Sequence, residues 1–242
     1  MWVQARGSKI GWDSATAGVS SCTVGNYHDW RMPTIKELYS LIKFNGQNGT
    51  SMTSTTGYIP FIDTTYYGFA YGVGSSTERV IDCQDWSATK YVGLTMAGDT
   101  TIFGVNFADG RIKGYPKFEP QSANTTAYKL YVRYVRGNTS YGINNFIYNG
   151  DSTITDKATG LMWAKYDSNI GLNWQATLAY VTTKNAQNYL GYNDWRLPNA
   201  KELQSIVDYT RAPDITNSAA IDPIFSCSSI INEGGAVDYP FF

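Results

Sequence analysis

The sequence contains a single histidine, His28, and only three cysteines, Cys22, Cys83 and Cys227. One imidazole excludes any site that needs two, and the spacing of the cysteines gives no C-x-x-C zinc or haem motif. The aspartates show no EF-hand spacing either. We therefore predict no metal site and no cofactor.

Charge and long apolar runs are also scarce. Charged residues make up 16% of the chain, against roughly 25% in a typical soluble domain. The 19 basic and 20 acidic side chains leave a net charge of -1, so no overall field attracts nucleic acid. No apolar run approaches the roughly 18 residues of a membrane span, and residues 1–10 lack the apolar region of a signal peptide. We expect no nucleic-acid partner and no membrane insertion.

Tyrosine (19 residues) and glycine (23 residues) are abundant. Together with many serines, threonines and asparagines, they give a composition typical of secreted bacterial surface proteins, so we predict an extracellular location, secreted or at the cell surface. In an oxidising compartment Cys22 and Cys83 are candidates for a disulfide, which would leave Cys227 unpaired. The alternative is three reduced thiols.

One fourteen-residue motif occurs twice in the chain. Residues 29–42 (DWRMPTIKELYSLI) and 194–207 (DWRLPNAKELQSIV) are identical at eight of the fourteen positions. The match extends to Trp12 with Trp174, and to Met-Trp at residues 1–2 and 162–163. A repeat of this length indicates duplicated domains rather than a solenoid. We predict a first domain over residues 1–140 and a second over residues 141–242.

The repeat comparison also predicts that each copy lacks one end. The second copy has strand-forming sequence ahead of its Met-Trp pair, which the first copy lacks, so the first copy is expected to lack its first strands. The second copy contains no counterpart of residues 86–136 and is expected to lack its last strands. A fragment, an untraced segment and strands supplied by neighbouring molecules all remain open as explanations.

The repeated motif has the spacing of a helix capping box. Thr34 and Asn199 are good N-cap residues, and Glu37 and Glu202 follow three positions later. A helix is therefore expected at each motif, and another around the tryptophan that precedes it. Downstream, the Asp-Gly of VNFADGRIK (residues 105–113) predicts a type I′ hairpin. Each complete copy thus resolves into two short helices and an antiparallel sheet, an α+β module.

An ordered set of short motifs runs through the chain: G-L-M-W (160–163), G-Y-x-D-W-R-L-P-x-x-K-E-L (191–203), I-D-P-I-F (221–225), W-S-A-T (86–89), F-x-x-G-R (107–111) and Y-V-R-x-V-R (131–136). In this set the chain resembles the family of the C-terminal domain of the Legionella collagen-like protein. The resemblance covers nearly the whole chain. Two features differ from the family: Tyr134 stands where many members have cysteine, and no collagen-like stalk is present.

The resemblance implies both a fold and a function. The family is similar in fold to C-type lectins, so we expect tandem α+β C-type-lectin-like domains with twisted sheets and long irregular loops. Its members are bacterial surface or secreted proteins, and the namesake domain binds sulfated glycosaminoglycans and supports adhesion. The resemblance implies binding at a cell surface, with no catalysis.

The residues of the repeated motif are expected to be structural. Trp30 and Trp195 are predicted core anchors. Arg31 and Arg196 are predicted to bond to the capping glutamates or to loop carbonyls. The structural motif comprises Trp30, Arg31, Glu37, Trp195, Arg196 and Glu202.

Candidate ligand-binding residues lie where the two copies differ. The loop at residues 63–78 carries Tyr66, Tyr67 and Tyr71 among glycines, a composition that suits aromatic contact surfaces or a cover over the core. Arg111 and Lys113 belong to a basic cluster that would suit sulfate or carboxylate groups, or would simply be solvated. The cluster also contains Lys117, Arg133 and Arg136.

Three functions follow from these features. The first is a recognition or adhesion module that binds a surface glycan or protein through its variable aromatic loops. The second is a structural subunit of an extracellular filament, sheath or appendage, assembled from copies of itself. The third is an enzyme, because the lectin-like fold also hosts the formylglycine-generating oxidase. That chemistry needs a pair of reactive cysteines, which the three present do not supply, so we predict no enzymatic activity.

Overall fold

The computed structural model describes residues 1–96, 98–231 and 237–238, with side chains through residue 229. The chain divides into two compact units, Met1–Tyr141 and Gly142–Phe242, here called the first and second units. Short helices accompany small antiparallel sheets, so the predicted α+β class is confirmed. Within the described residues, none of the helices has the length and hydropathy needed to cross a bilayer.

The first unit combines two short helices with a three-stranded antiparallel sheet. Its elements are β1 (Ile10–Gly11), α1 (Trp12–Ala17), α2 (Ile35–Tyr39), β2 (Asp85–Thr95), β3 (Asp99–Asn106), β4 (Arg111–Pro116) and β5 (Lys129–Leu130). The main sheet has the order β2-β3-β4, and β1 pairs separately with β5. Two short 3-10 turns, Gly18–Ser21 and Val24–Asn26, join α1 to the repeated motif.

The core of the first unit forms around Trp86 of β2. This fully buried ring packs with Ala15 of α1, Ile102 of β3 and Leu130 of β5. The indole Nε1 of Trp86 donates a hydrogen bond of 2.9 Å to the carbonyl of Ile10. The core therefore ties α1 to the sheet and to the last strand of the unit, since each supplies one of these side chains.

The predicted type I′ hairpin is wrong in its turn type. Residues 107–110 form a four-residue loop between β3 and β4, and Asn106 pairs with Arg111. The side chain of Asn106 accepts the N–H of Ala108, and its carbonyl accepts the N–H of Gly110, which has φ +73°. The hydrogen bonds to Asn106 stabilise this four-residue loop, whereas the Asp-Gly pair alone predicts a two-residue turn.

The second unit begins with a three-stranded antiparallel sheet of order β6-β7-β8. Its elements are β6 (Phe146–Tyr148), β7 (Thr153–Asp156), β8 (Leu161–Ala164), α3 (Trp174–Ala186), α4 (Ala200–Ile206), α5 (Pro213–Thr216), β9 (Ile230–Ile231) and β10 (Val237–Asp238). Asp156 caps the β7–β8 loop as Asn106 caps β3–β4: it accepts the N–H groups of Ala158 and Gly160. The same loop form thus occurs in both units.

Helix α3 presents large apolar side chains to solvent. The side chains of Trp174 and Leu178 are 67% and 42% exposed, and no residue of this helix is buried. Its counterpart in the first unit is α1, whose Ala15 is completely buried under Trp86 and Leu130. The apolar face that the first unit covers with β2 and β5 therefore has no such cover from the residues of the second unit that the structure describes.

Candidate functional site

The repeated motif forms a compact corner in the first unit. The ring of Trp30 is buried, and its Nε1 donates to the carbonyl of Val24 at 3.1 Å. Both terminal nitrogens of Arg31 donate to the carboxylate of Glu37, at 2.7 and 2.5 Å. That carboxylate also accepts the N–H of Thr34, whose hydroxyl accepts the N–H of Glu37 in return. One glutamate therefore caps α2 and fixes the arginine.

The second unit builds the same corner from the second copy of the motif. Trp195 Nε1 donates to the carbonyl of Tyr189 at 2.9 Å, again six residues upstream. Arg196 donates twice to Glu202, at 2.8 and 2.6 Å, and Asn199 completes the capping box. The hydrogen bonds from Arg196 lower the pKa of Glu202. The two motifs thus share one geometry, not only one sequence pattern.

The two corners differ in what covers them. In the first unit, the N–H and carbonyl of Arg31 both bond to Val135, at 2.9 Å each. The next residue, Arg136, donates to Asp29 at 2.6 Å and lies 3.6 Å from the ring centroid of Tyr27. This pairing lowers the pKa of Asp29. Asp29 therefore anchors the segment that follows β5 through Arg136.

The second corner has no such covering segment among the described residues. The side chain of Arg196 is 59% exposed, compared with 27% for Arg31. Trp195 is half-buried, whereas Trp30 is buried. The second unit therefore repeats the corner but leaves its outer side open.

Two buried arginines hold the aromatic loop of the first unit. Arg133 is fully buried and donates to the carbonyls of Val3 (3.1 Å), Gln4 (2.5 Å) and Gly68 (2.8 Å). Burial lowers its pKa. Arg6 forms a buried ion pair with Asp85 at 3.0 Å. These bonds connect the N-terminal segment, the loop and the segment that follows β5.

The rings of that loop face in different directions. Tyr67 lies 5.3 Å from the guanidinium of Arg133, and Tyr71 packs edge-on against Phe69 over the buried cluster around Val80. Burial raises the pKa of Tyr71 to about 12. Tyr66 is 68% exposed and is the ring of the predicted set that is presented to solvent. The structure thus separates Tyr66 from Tyr67 and Tyr71, and a ligand role for all three stays a prediction.

The predicted basic cluster is dispersed among separate partners. Lys113 pairs with Asp109, Lys117 with Asp13, and Arg136 with Asp29. Arg133 is buried, and Arg111 is exposed on β4. A polyanion could therefore contact the exposed side chain of Arg111, whereas Lys113, Lys117 and Arg136 already have acidic partners.

Cys22 and Cys83 are free thiols, so the disulfide considered between them is not formed. Cys83 is buried beside Ala108, and its Sγ contacts the carbonyl of Val80 at 3.6 Å. Burial raises the pKa of Cys83 to about 11. Cys22 is half-buried after the first 3-10 turn, where its N–H donates to Val19. The two thiols belong to different local environments.

Sequence reasoning missed Arg6 and misplaced Arg133. Arg133 directly follows Val132 in a segment of alternating apolar and polar residues, in which Leu130 and Val132 are buried. This alternation favours an exposed position for Arg133. The long loop at residues 63–78 is the sequence feature that could have indicated these roles. The backbone carbonyls of a long loop need hydrogen-bond donors, and one arginine side chain supplies several. Asp85, directly before W-S-A-T, is the matching buried acid.

A family comparison agrees with this repeated architecture. The chain matches the family model described as Lcl C-terminal domain over residues 1–136 and 152–233. The two matched segments are consistent with tandem copies and account for most of the chain. The chain therefore belongs to the Lcl C-terminal domain family, which suggests an extracellular or surface module. No curated protein and no solved structure matches the chain significantly.

Proposed function

We propose that the chain is a secreted or cell-surface recognition module that binds a surface glycan or protein through the loop at residues 63–78. The proposal includes no catalytic step, no cofactor and no nucleic-acid partner. Family membership supports the surface setting. The C-type-lectin-like form of the two units is part of the same proposal.

The observation that carries the proposal is the way the loop is held. Arg133 bonds to the backbone of Gly68, and Tyr67 and Tyr71 pack inward, so the loop is fixed from below. Tyr66 remains exposed at 68% on this fixed base. A rigid aromatic contact loses little conformational entropy on binding and can stack on a sugar face.

A glycan array probed with the full chain tests this function. We expect saturable binding that Tyr66→Ala reduces about tenfold, because one exposed ring would carry much of the contact. Tyr141→Ala is the matched control, since Tyr141 is also exposed, at 49%, but lies outside the loop. Equal losses from both substitutions, or binding that depends on neither ring, would contradict the assignment of the loop.

The second candidate is a structural subunit of an extracellular filament, sheath or appendage. The exposed apolar face of α3 favours it, because large apolar side chains such as Trp174 and Leu178 that are left exposed to solvent are typical of an interaction surface. Sedimentation of the full chain tests this candidate. Concentration-dependent association that Trp174→Ser weakens is expected, and a monomer at all concentrations would count against it.

A further inference from the structure

Strand β4 forms an open edge of the main sheet in the first unit. It pairs with β3 over six consecutive residues. In the sheet order β2-β3-β4, no strand lies on its other side among the described residues. Residues 98–130, which include β4 and the segments on either side of it, are all described, and the first three residues of the chain run beside residues 134–136 instead. The outer side of β4 is thus unpaired although the chain around it is continuous.

The hydrogen bond of the residue after β4 shows which backbone groups face the open side. The N–H of Lys117 donates to the carbonyl of Thr100 in β3, at 3.1 Å. Alternate residues of an antiparallel strand bond to the same neighbour, so the backbone groups of Ile112, Gly114 and Pro116 face away from β3. Proline has no N–H and is found in sheets where no ladder bond is needed, so Pro116 agrees with this assignment. Ile112 and Gly114 each present an N–H and a C=O, for which no backbone partner outside the sheet lies among the described residues.

The basic side chains of this edge are only partly neutralised. Successive residues of a strand point to opposite faces, so Arg111 and Lys113 project from the same face. Lys113 pairs with the buried carboxylate of Asp109. Arg111 is exposed, and no acidic group pairs with its side chain in the part of the chain that the structure describes. A strand added here would meet one cation that already has an acidic partner and one that has none.

The charge of the edge selects its occupant. Directly opposed residues on neighbouring strands have Cβ atoms about 5 Å apart, so opposite charges stabilise the pair and like charges destabilise it. Two copies joined edge to edge would bring Arg111 and Lys113 of one copy close to the same residues of the other. Basic residues on an edge strand discourage self-pairing for this reason. A strand that carries carboxylates at alternate positions would be attracted instead.

We propose that the open edge of β4 binds, by strand addition, an extended segment of a partner polypeptide with acidic side chains at alternate positions. Main-chain bonds to Ile112 and Gly114 provide affinity in this mode, and contacts to Arg111 and Lys113 provide specificity. The inference goes beyond the proposed function and does not depend on the loop at residues 63–78. Failure of either proposal therefore leaves the other intact.

A fluorescent peptide TEVEVET, with glutamate at alternate positions, tests the edge by anisotropy with the full chain. We expect saturable binding that Arg111→Ala weakens about three- to fivefold, the effect of losing one solvent-exposed charge pair. Arg79→Ala is the matched control, because it removes the same charge from an exposed arginine outside the sheet and should leave the affinity unchanged. The peptide TKVKVKT should not bind. Equal losses from the two arginine substitutions, equal binding of the lysine peptide, or no saturable binding of TEVEVET would overturn the proposal.

Two substitutions at one position separate main-chain pairing from side-chain contact. Ile112→Pro and Ile112→Ala both remove the isoleucine side chain, but only the proline removes the N–H that faces the open side. Neither removes a donor to β3. We expect the proline variant to bind TEVEVET about tenfold more weakly than the alanine variant. Equal affinities of the two variants would contradict strand addition.

Peptides that are N-methylated at alternate residues provide the same test with the protein unchanged. Only one side of the bound backbone would bond to β4. Methyl groups on one alternate set of amides should therefore abolish binding, and methyl groups on the other set should leave the affinity near that of TEVEVET. This measurement decides the question even if Ile112→Pro fails to fold. Similar affinities of the two methylated peptides would sink the proposal.

Sedimentation of the chain without peptide tests the other occupant. We expect no dimer that forms through β4, because the basic edges repel each other. A dimer that Ile112→Pro dissociates and Ile112→Ala does not would mean that a second copy occupies the edge, and would overturn the assignment to an acidic partner.

Discussion

Removal of the capping glutamate should destabilise the first unit more than the second. Glu37 accepts three hydrogen bonds, two from Arg31 and one from Thr34, with only 5% of its side chain exposed. Glu37→Ala leaves a largely buried guanidinium with the carbonyl of Asn138 as its remaining partner. We expect a loss of about 3 kcal/mol, near the lower end for breaking a buried charge pair.

The same substitution in the second unit provides the comparison. Glu202 makes the equivalent three bonds, but the side chain of Arg196 is 59% exposed and can be solvated when its partner is lost. Glu202→Ala should therefore cost about 1 kcal/mol, the loss of a capping box and an exposed ion pair. Glu37 and Glu202 make equivalent hydrogen bonds in the two corners. The difference between the two losses of stability therefore reports how deeply each corner is buried.

Urea denaturation measures both losses. The two units can unfold in separate transitions, so tryptophan fluorescence and far-UV circular dichroism should be recorded together. With a slope of about 2 kcal/mol/M, Glu37→Ala should lower the midpoint of the first unit by about 1.5 M, and Glu202→Ala that of the second by about 0.5 M. Equal shifts, or a larger shift for Glu202→Ala, would refute the reasoning from burial.

Three further predictions concern the buried groups and the repeated loop. Arg133→Met should destabilise the first unit by about 3 kcal/mol in urea and speed proteolysis within residues 63–78, because three carbonyls lose their donor. Gly110→Ala should cost about 2 kcal/mol more than Gly160→Ala by the same measurement: both glycines have φ +73°, but only at Gly110 would a Cβ meet the ring of Phe61, at 2.7 Å. Burial alone would raise the pKa of Asp156, but hydrogen bonds from Asn145 and other donors lower it overall. Because the folded pKa is below the unfolded value, this stability is lost as the pH falls through the folded pKa, and Asp156→Asn should flatten the decline in urea midpoint between pH 7 and pH 3.

Local sequence signals predicted the corners well. An N-cap residue followed by glutamate three positions later has few alternatives to a capping box, and the same spacing occurs at Thr34 and Asn199. The arginine two residues before the proline then lies within reach of that glutamate. These features depend on residues close in the chain, so they could be derived without a fold.

Features that depend on distant residues could not be predicted in this way. The burial of Arg133 is set by carbonyls at Val3, Gln4 and Gly68, which come from separate parts of the first unit. The exposure of Trp174 likewise follows from which strands lie over α3. An alternating pattern indicates a face, but not whether another segment covers it.

Amide hydrogen exchange at the two corners tests the central claim, that one domain is repeated and that, among the described residues, a chain segment (residues 134–136) closes the corner only in the first unit. The amides of Leu38 and Leu203 bond to Thr34 and Asn199 in their helices and should both be protected. The amide of Arg31, bonded to Val135, should be protected as well, whereas that of Arg196 should exchange at least a hundredfold faster. Equal protection of the two arginine amides, or an unprotected Leu203, would contradict the account.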